Sequence, residues 1–501
     1  MTAFTGFPVL SLLLLSMPAT ALLIGMVADA RKARWIALGG SVLALLLVIR
    51  LLLGFDAASG EFQFVEQASW IPSLNVKYLV GVDGISILFL PFTILLFTGV
   101  ILASWNSVRT LPRLYFSLLM LLQGLTLGIF VSMDLILFFL FWELSLAPLY
   151  FLISLWGLGP NRRYAAVKYT LMMLAGGVPL LFGFLLLGFT HADSLGAVVP
   201  AGLAFDYPGL LALKLPHHLE SLVFFLLLLG FLVKTPAVPF HTWLPVVSME
   251  GPVAVAALMT GLKLGAYGII RFAVPLAPNL AQEFHWLLAG LGVTGILYGA
   301  LLALAQTNLR QMLACSSISH VGLVLLAIAS FNQAGIQGAL FQLLNFTVVA
   351  GGLFLLTGFL YQRTGSTDII SLGGAAATMP RLAGFFLLFG LASMGVPGTN
   401  GFPAEFLMLM SALESHTGAG LAALAGVVIG AGYFLRLYRQ AFFGPVESKV
   451  VREAMDLRPR ELFIIGLFAL FILLNGLFPQ GILDFTHGAT DRWLGLLGTS
   501  G

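Results

Sequence analysis

The chain has 501 residues, 59% of them hydrophobic and only 9% charged, whereas an ordinary soluble domain is about 25% charged. That composition excludes a string of water-soluble domains and makes the bilayer the expected solvent of one membrane domain spanning residues 1–501. The formal net charge of +3 is spread over short loops, which excludes a nucleic-acid patch. Cys315 is alone, and no CxxC, HExxH or Cys/His cluster occurs, so neither a disulfide nor a metal or cofactor site is expected in this chain.

The first apolar run, Phe7 to Val27, is preceded by no Lys or Arg and is too long for a signal-peptide core, so it reads as a helix. Scanning on from it, about 14 runs reach the roughly 20 residues that a membrane-crossing helix needs. They centre near Leu15, Leu45, Leu90, Leu121, Glu143, Leu180, Leu228, Gly261, Gly295, Leu323, Leu353, Gly395, Val427 and Leu470. Assigned alternately to two sides, the loops divide about 17 basic residues from about four. The smaller set is Lys77, Lys214, Arg271 and Arg492. The larger set then faces the cytoplasm, with both termini on the opposite side. The longer loops, Gly54 to Val80 and Thr190 to His218, are expected on the non-cytoplasmic surface.

Charges left inside spans cost about 2.5 to 3.5 kcal/mol each at a helix centre. Arg50 lies near a helix end and can snorkel. Asp83 and Asp134 lie near helix ends as caps or anchors, Asp134 also being placed to touch a water entrance. Glu143, Lys234, Lys263 and Glu405 lie deeper. They are expected either to fix packing as buried ion pairs or to move charge. Phe231 to Pro245 holds three prolines in one span, and Gly395 to Glu405 has the same kind of interruption. Proline leaves carbonyls unpaired, so both helices must break, and broken backbone at membrane depth is tolerated only inside protein or a wet cavity. Two such spans about five helices apart are the signature of an internal repeat with ion sites at the breaks. No residue-by-residue repeat is visible, so this reading rests on topology.

The motifs Val82-Asp-Gly-Ile-Ser86, Phe141-Trp-Glu-Leu-Ser-Leu-Ala-Pro-Leu-Tyr150, Lys234-Thr-Pro with His241-Thr-Trp-Leu-Pro245, Gly261-Leu-Lys-Leu-Gly-Ala-Tyr-Gly268 and Ser316-Ser-Ile-Ser-His-Val-Gly322 together carry a specific resemblance. The chain resembles the antiporter-like membrane subunits of proton-pumping NAD(P)H:quinone oxidoreductase, or complex I, of the chain 4 (M/D) type. The resemblance covers nearly the whole chain, to Gly444-Pro445. It implies an all-α polytopic fold of about 14 transmembrane helices with two broken helices and two inverted repeats, at about 113–277 and 284–441, flanked by helices at both ends.

It also implies a proton line at mid-membrane depth. Glu143 resembles the carboxylate that pairs with Lys234, Lys263 the central carrier, His320 a relay, and Glu405 the terminal carrier, where sister subunits have Lys. Lys168, His241 and Asp134 are possible accessories, with packing, orientation of the seventh helix end and capping as their plainer roles. Glu405 follows a break whose free amides and helix dipole favour an ionised carboxylate.

Val246, Ser248 and Phe346 depart from the family pattern, which usually has Asp, His and a second His there. A Phe cannot relay a proton, so water or a displaced group must cover that gap. Such departures resemble the cyanobacterial variant specialised for CO2 uptake. This subtype implies a thylakoid membrane with lumenal termini, plastoquinone as acceptor, ferredoxin or NAD(P)H as donor, iron–sulfur clusters in other chains, and a CO2-hydrating partner beside the other membrane and hydrophilic subunits and lipids. The chain would serve that enzyme as a non-redox subunit. The rival reading is a subunit of a multisubunit Mrp-type cation/proton antiporter. Moving one proton against about 200 mV costs about 4.6 kcal/mol, within the range by which burial and a paired carboxylate alter a lysine's hold on its proton.

Overall fold

The computed structural model describes residues 7–200 and 202–498. Among them, twelve helices are long and apolar enough to cross a membrane, and the shorter apolar helices Phe89–Ala103 and Pro380–Ser393 stand where the third and twelfth spans are expected. Every one of the expected spans is therefore helical, and below they are numbered first to fourteenth in chain order.

Lipid does not press on them equally. In the eighth (Val253–Ala273), tenth (Leu309–Ile328) and eleventh (Gln333–Thr364) spans 89% of the residues in the apolar window are buried, against 28 to 44% in the first, second, thirteenth and fourteenth. The first group is the centre of the bundle and the second its rim. Ionisable residues of the eighth and tenth spans thus sit where protein, not hydrocarbon, surrounds them.

Both expected breaks are present. The seventh span runs as a helix over His217–Lys234 and resumes at Trp243–Glu250. Its loose carbonyls are taken up locally: Thr235 Oγ1 donates to Phe231 O at 2.6 Å and Trp243 Nε1 donates to Val233 O at 3.0 Å. The twelfth span breaks between Pro380–Ser393 and Gly401–Ser415. A third interruption was not expected. The eighth span stops at Gly261, restarts at Leu264, and passes into a π-helical turn at Ile269–Ala273. The eleventh carries a similar turn at Phe346–Ala350. These irregular turns fall in two of the three most enclosed spans, those that carry Lys263 and Phe346, as backbone irregularity in a membrane requires.

Small residues set the close approaches. On the ninth span (His285–Leu304), Gly292, Gly295 and Gly299 face Gly322 and Ser319 of the tenth, with backbone atoms where any β-carbon would lie. Ser319 Oγ adds a hydrogen bond to Ile296 O at 2.9 Å. Such small-residue seams let dispersion and interhelical polar contacts hold helices that have no hydrophobic driving force in lipid.

One expectation needs correcting, and two segments carry structure that the reading of spans did not address. In the loop after the second span, Gln63–Ile71 and Val76–Val82 form an antiparallel hairpin, tied by the Lys77–Asp206 ion pair at 3.0 Å. The C-terminal segment after the fourteenth span is an amphipathic helix, Gln480–Leu496, which lies over the bundle and donates from Trp493 Nε1 to Ile270 O at 2.7 Å. Arg271 is not a loop charge. It is 4% exposed and bidentate to the carboxylate of Asp83, with the Nη1 to Oδ2 contact at 2.7 Å. Asp83 also caps its own turn through the amides of Ile85 and Ser86.

This buried pair yields a prediction. Arg271→Met strands the Asp83 carboxylate and should cost about 3 to 5 kcal/mol, whereas adding Asp83→Leu should recover much of it. Thermal unfolding of the solubilised protein measures both. Equal losses in the single and double variants would show that the pair is not the cause.

Candidate functional site

The fifth span is two helices, Leu135–Leu144 and Leu146–Trp156, joined at Ser145. Ser145 Oγ donates to Trp142 O at 2.7 Å, and Pro148 follows closely enough to weaken the helix there. This joint faces the break in the seventh span. Lys234, at the last turn before that break, is 8% exposed. Its ammonium donates to Trp142 O at 3.3 Å and to Ser145 Oγ at 3.2 Å, and lies 3.8 Å from the centre of the Trp142 ring.

The expected Glu143–Lys234 contact is not made. Their charges feel each other, yet the ammonium is held by a carbonyl, a hydroxyl and an indole face. Glu143 Oε1 is instead buried without a hydrogen-bond partner. It points at Gly177 of the sixth span (Arg162–Ser194), where a β-carbon would collide with it. The pair is open because the carboxylate occupies a niche that only glycine leaves free.

Lys263 marks the interruption of the eighth span, with φ −98° and ψ 59°. It is 4% exposed, its Nζ has no hydrogen-bond partner among the described residues, and it sits 5.1 Å from the centre of the Phe346 ring. Glycines seat this span on the seventh: β-carbons at Gly265 and Gly268 would strike Thr235 and Phe231. The Gly261-Leu-Lys-Leu-Gly-Ala-Tyr-Gly268 motif thus brings the Lys263 interruption against the Lys234 break.

Beyond Phe346 the line turns polar again. The Phe346 and His320 rings meet edge to face at 6.3 Å. His320 Nδ1 contacts Ser316 O at 2.8 Å; Nε2 contacts Ser393 O at 2.9 Å and lies 3.5 Å from Glu405 Oε1. The expectation that free amides cap Glu405 fails, since its partner is the His320 imidazole. Gly395, with φ +64°, lets the broken chain turn and leaves room for the Glu405 carboxylate.

Small cavities separate these groups. One of about 40 Å³ is lined by Lys234, Ser145, Tyr169, Leu262 and Leu264; one of about 30 Å³ by Phe346, His320, Ser316, Ser317, Gln342 and Asn345; one of about 20 Å³ by His320, Glu405, Ser319 and Tyr433. A water needs about 10 to 15 Å³ and polar partners, so each has room for a water or two. Lys263 stands between the first two, its chain neighbours lining one and its ring partner the other.

The accessory residues lie off this line. Asp134 caps the fifth span through Ile136 and Leu137 and is fully buried. His241 stacks edge-on against Tyr298 at 5.3 Å, its Nδ1 unpartnered, with the half-buried Lys168 within electrostatic reach.

Two features escape sequence reading. Tyr433, on the thirteenth span (Thr417–Phe442), donates to Ser316 Oγ at 2.7 Å beside Glu405, and nothing around it in the sequence announces a polar role. Asn345 and Asn400 clamp the second break: Asn345 Nδ2 donates to Asn400 O at 2.8 Å, and Asn400 Nδ2 to Asn345 Oδ1 at 2.7 Å. Asn345→Leu unpairs both groups of Asn400. It should destabilise the solubilised protein by about 2 to 4 kcal/mol, read as a lowered unfolding temperature. A change under 0.5 kcal/mol would show that the clamp does not hold the break.

Residues 132–430 match the family described as NADH:quinone oxidoreductase/Mrp antiporter, TM. The chain is 37% identical over 463 residues to NADH-quinone oxidoreductase subunit M of Rickettsia typhi, covering 92% of this chain and 91% of that one. It is 36% identical over 469 residues to the subunit M of Escherichia coli, covering 91% of each. Among solved structures, a chain of respiratory complex I from Thermus thermophilus with bound NADH superposes with a TM-score of 0.89 at 32% identity, over 98% of this chain and all of that one. The Mrp complex of Dietzia superposes at 0.80 with 23% identity, over 96% of this chain and 52% of that one, a likeness of fold alone.

Proposed function

This chain belongs to the NADH:quinone oxidoreductase/Mrp antiporter transmembrane family, and we propose that it is the M-type proton-translocating membrane subunit of an NADH-quinone oxidoreductase whose electron carriers lie in other chains. The observation that carries this is the succession Lys234, Lys263, His320, Glu405, in which ionisable side chains of the enclosed spans alternate with cavities of water size. Identity of 36 to 37% to subunit M along nearly the whole chain favours this reading over the Mrp antiporter, whose likeness is distant.

In this reading Glu143 and Lys234 form the switch. A carboxylate that approaches an amine in low dielectric holds the proton there, and one that withdraws releases it. Glu143 waits in the Gly177 niche, and rotation at the Ser145 joint carries it toward the ammonium. Trp142 O and Ser145 Oγ hold the ammonium meanwhile. Lys263 takes up the released proton through water in the first cavity. Phe346 is not a carrier: the Ser316, Ser317, Gln342 and Asn345 lining beside it supports a water path around the ring to His320. The imidazole has two distinct nitrogens suited to relay, and Glu405 receives the proton.

We read residues 113–277 and 284–441 as two inverted repeats, supported by one broken span in each. The arginine-rich end faces the cytoplasm in this reading, and the termini lie opposite. The finer CO2-uptake subtype, with thylakoid, plastoquinone, ferredoxin and a CO2-hydrating partner, rests on sequence alone: Val246, Ser248 and Phe346 together with Lys234-Thr-Pro236, Met249-Glu-Gly-Pro252 and Leu343-Leu-Asn-Phe-Thr347. The names of the relatives support NADH and quinone.

The test uses the intact complex in sealed vesicles. Lys263→Ala should lower proton pumping about tenfold or more with the subunit retained; retained pumping, or loss of the subunit from the complex, would speak for a scaffold. Mass spectrometry of the same preparation names the companion chains, and membrane subunits alone would favour the antiporter. Phe346→Leu should keep pumping within about a factor of two, while His320→Leu should lower it about tenfold. Equal loss in both would place the ring itself on the route.

A further inference from the structure

A cavity lined by none of the residues of the proton line opens among the ends of four spans, and we propose that it seats the headgroup of an anionic phospholipid. It measures about 460 Å³ and opens where the end of the third span, the start of the eighth, the end of the eleventh and the start of the fourteenth meet. That is more than ten times the cavities along the line and falls within the usual range for a small-molecule site, about 300 to 1,000 Å³.

Its rim is cationic and unsatisfied. Arg109 and Arg458 line it, and neither guanidinium is paired with a carboxylate. Arg460 stands alongside, within electrostatic reach of Arg458 on one hand and Arg34 on the other, and Arg34 and Arg460 each have a buried Nε with no hydrogen-bond partner among the described residues. The neighbouring carboxylates are already engaged. Glu461 is taken by Arg363 and the Arg458 amide, and Glu250 by the Asn161 amide. Arg363, which lines the same cavity, shows what a satisfied arginine looks like here: beyond Glu461 it donates to Phe359 O, Met455 O and Asp456 O. The other four guanidinium groups have no hydrogen bond to a carboxylate among the described residues: Arg109 and Arg458 share the cavity, and Arg460 feels only Glu461, which Arg363 already holds, against the like charges of Arg458 and Arg34, so the rim keeps an excess of positive charge open to an anion. Like charges so placed repel one another unless one is brought to them.

The wall chooses the occupant. Toward the membrane interior the cavity is lined by apolar residues, Val253, Leu355 and Phe359 among them. Trp156 lines it at the end of the fifth span, and Trp105, just past the end of the third, lies 5.9 Å from the Arg460 guanidinium and edge-on to Trp35 at 5.1 Å. Tryptophans at the ends of spans mark a membrane interface. Basic pockets between spans at an arginine-rich end recognise anionic headgroups. An acyl-bearing phosphodiester fits both the cationic rim and the apolar wall, whereas a soluble phosphate has no use for the wall.

The experiment places the intact complex in vesicles containing a trace of photoactivatable phosphatidylglycerol, or in parallel its phosphatidylcholine analogue, and maps labelled peptides by mass spectrometry. Phosphatidylglycerol should label the peptides around residues 103–109 and 458–463 several-fold above phosphatidylcholine. The double variant Arg109→Gln/Arg458→Gln should lose that labelling about tenfold or more while labelling of the lipid-exposed thirteenth span, Thr417–Phe442, is unchanged. The unfolding temperature of the double variant and its retention in the complex check that the fold survives; if either fails, the single variants are measured instead, each expected to lose several-fold. Equal labelling by the two lipids, labelling unchanged in the variants, displacement by inorganic phosphate but not by sodium chloride of the same ionic strength, or cross-links from these peptides to a neighbouring protein chain would each overturn the proposal.

Discussion

A backbone amide or carbonyl left unpaired in hydrocarbon costs several kcal/mol, and that constraint decides where this bundle can be irregular. The breaks at Thr235 and Gly395, the gap at Lys263 and the π-helical turn at Phe346 gather along one seam at the heart of the protein, where Thr235, Trp243, Asn345 and Asn400 pair the freed groups. Ionisable side chains obey the same rule, because a charge tolerates burial only among polar partners. Broken backbone and buried charge therefore collect in the same places: carbonyls near the breaks hold Lys234 and His320, while Lys263 and Glu143 Oε1 remain without a hydrogen bond among the described residues.

Glycine makes the arrangement sterically possible, and at three positions it does so against a functional side chain rather than against another helix in general. Gly177 leaves the niche that receives Glu143, Gly395 leaves room for the Glu405 carboxylate while adopting a left-handed turn, and Gly265 lets the eighth span touch the Thr235 break. A side chain at any of them would move a carboxylate or separate two interruptions. The route from Lys234 to Glu405 is thus shaped as much by missing atoms as by the ionisable groups along it.

Much of this was legible before any coordinates. A run of apolar residues announces a span whatever its neighbours, so all the expected spans appear, and three prolines or a Gly-Val-Pro-Gly run cannot continue a helix, so both breaks appear. What stayed hidden depends on pairing across the chain. Lys263 carries no proline or helix breaker at its own position, and its interruption follows from how glycines dock the eighth span on the seventh. Arg271 looked like a loop charge because its partner, Asp83, lies far back in the sequence. The hairpin at Gln63–Ile71 and Val76–Val82 is too short to register in windows sized for membrane helices. The open state of Glu143 and Lys234 is a matter of side-chain placement within a known neighbourhood, which residue types alone do not determine.

The departure at Phe346 shows how the fold absorbs a substitution at a sensitive place. An aromatic ring beside Lys263 offers its negative face to a cation, 5.1 Å from the ammonium, so it favours a charged lysine without competing for the proton. It also meets His320 edge to face and narrows the direct route between the two. The polar lining displaced to its side, Ser316 and Ser317 on the tenth span with Gln342 and Asn345 on the eleventh, keeps hydrogen-bonding groups within reach of both ends. Ser316 accepts from Tyr433 at 2.7 Å and lies 3.4 Å from His320 Nδ1, so it joins the polar lining to the imidazole. A ring at this position therefore leaves the seam connected on one side and closed on the other, so that passage depends on water in a cavity of about 30 Å³, small enough that a modest shift of the eleventh span's π-helical turn would open or shut it.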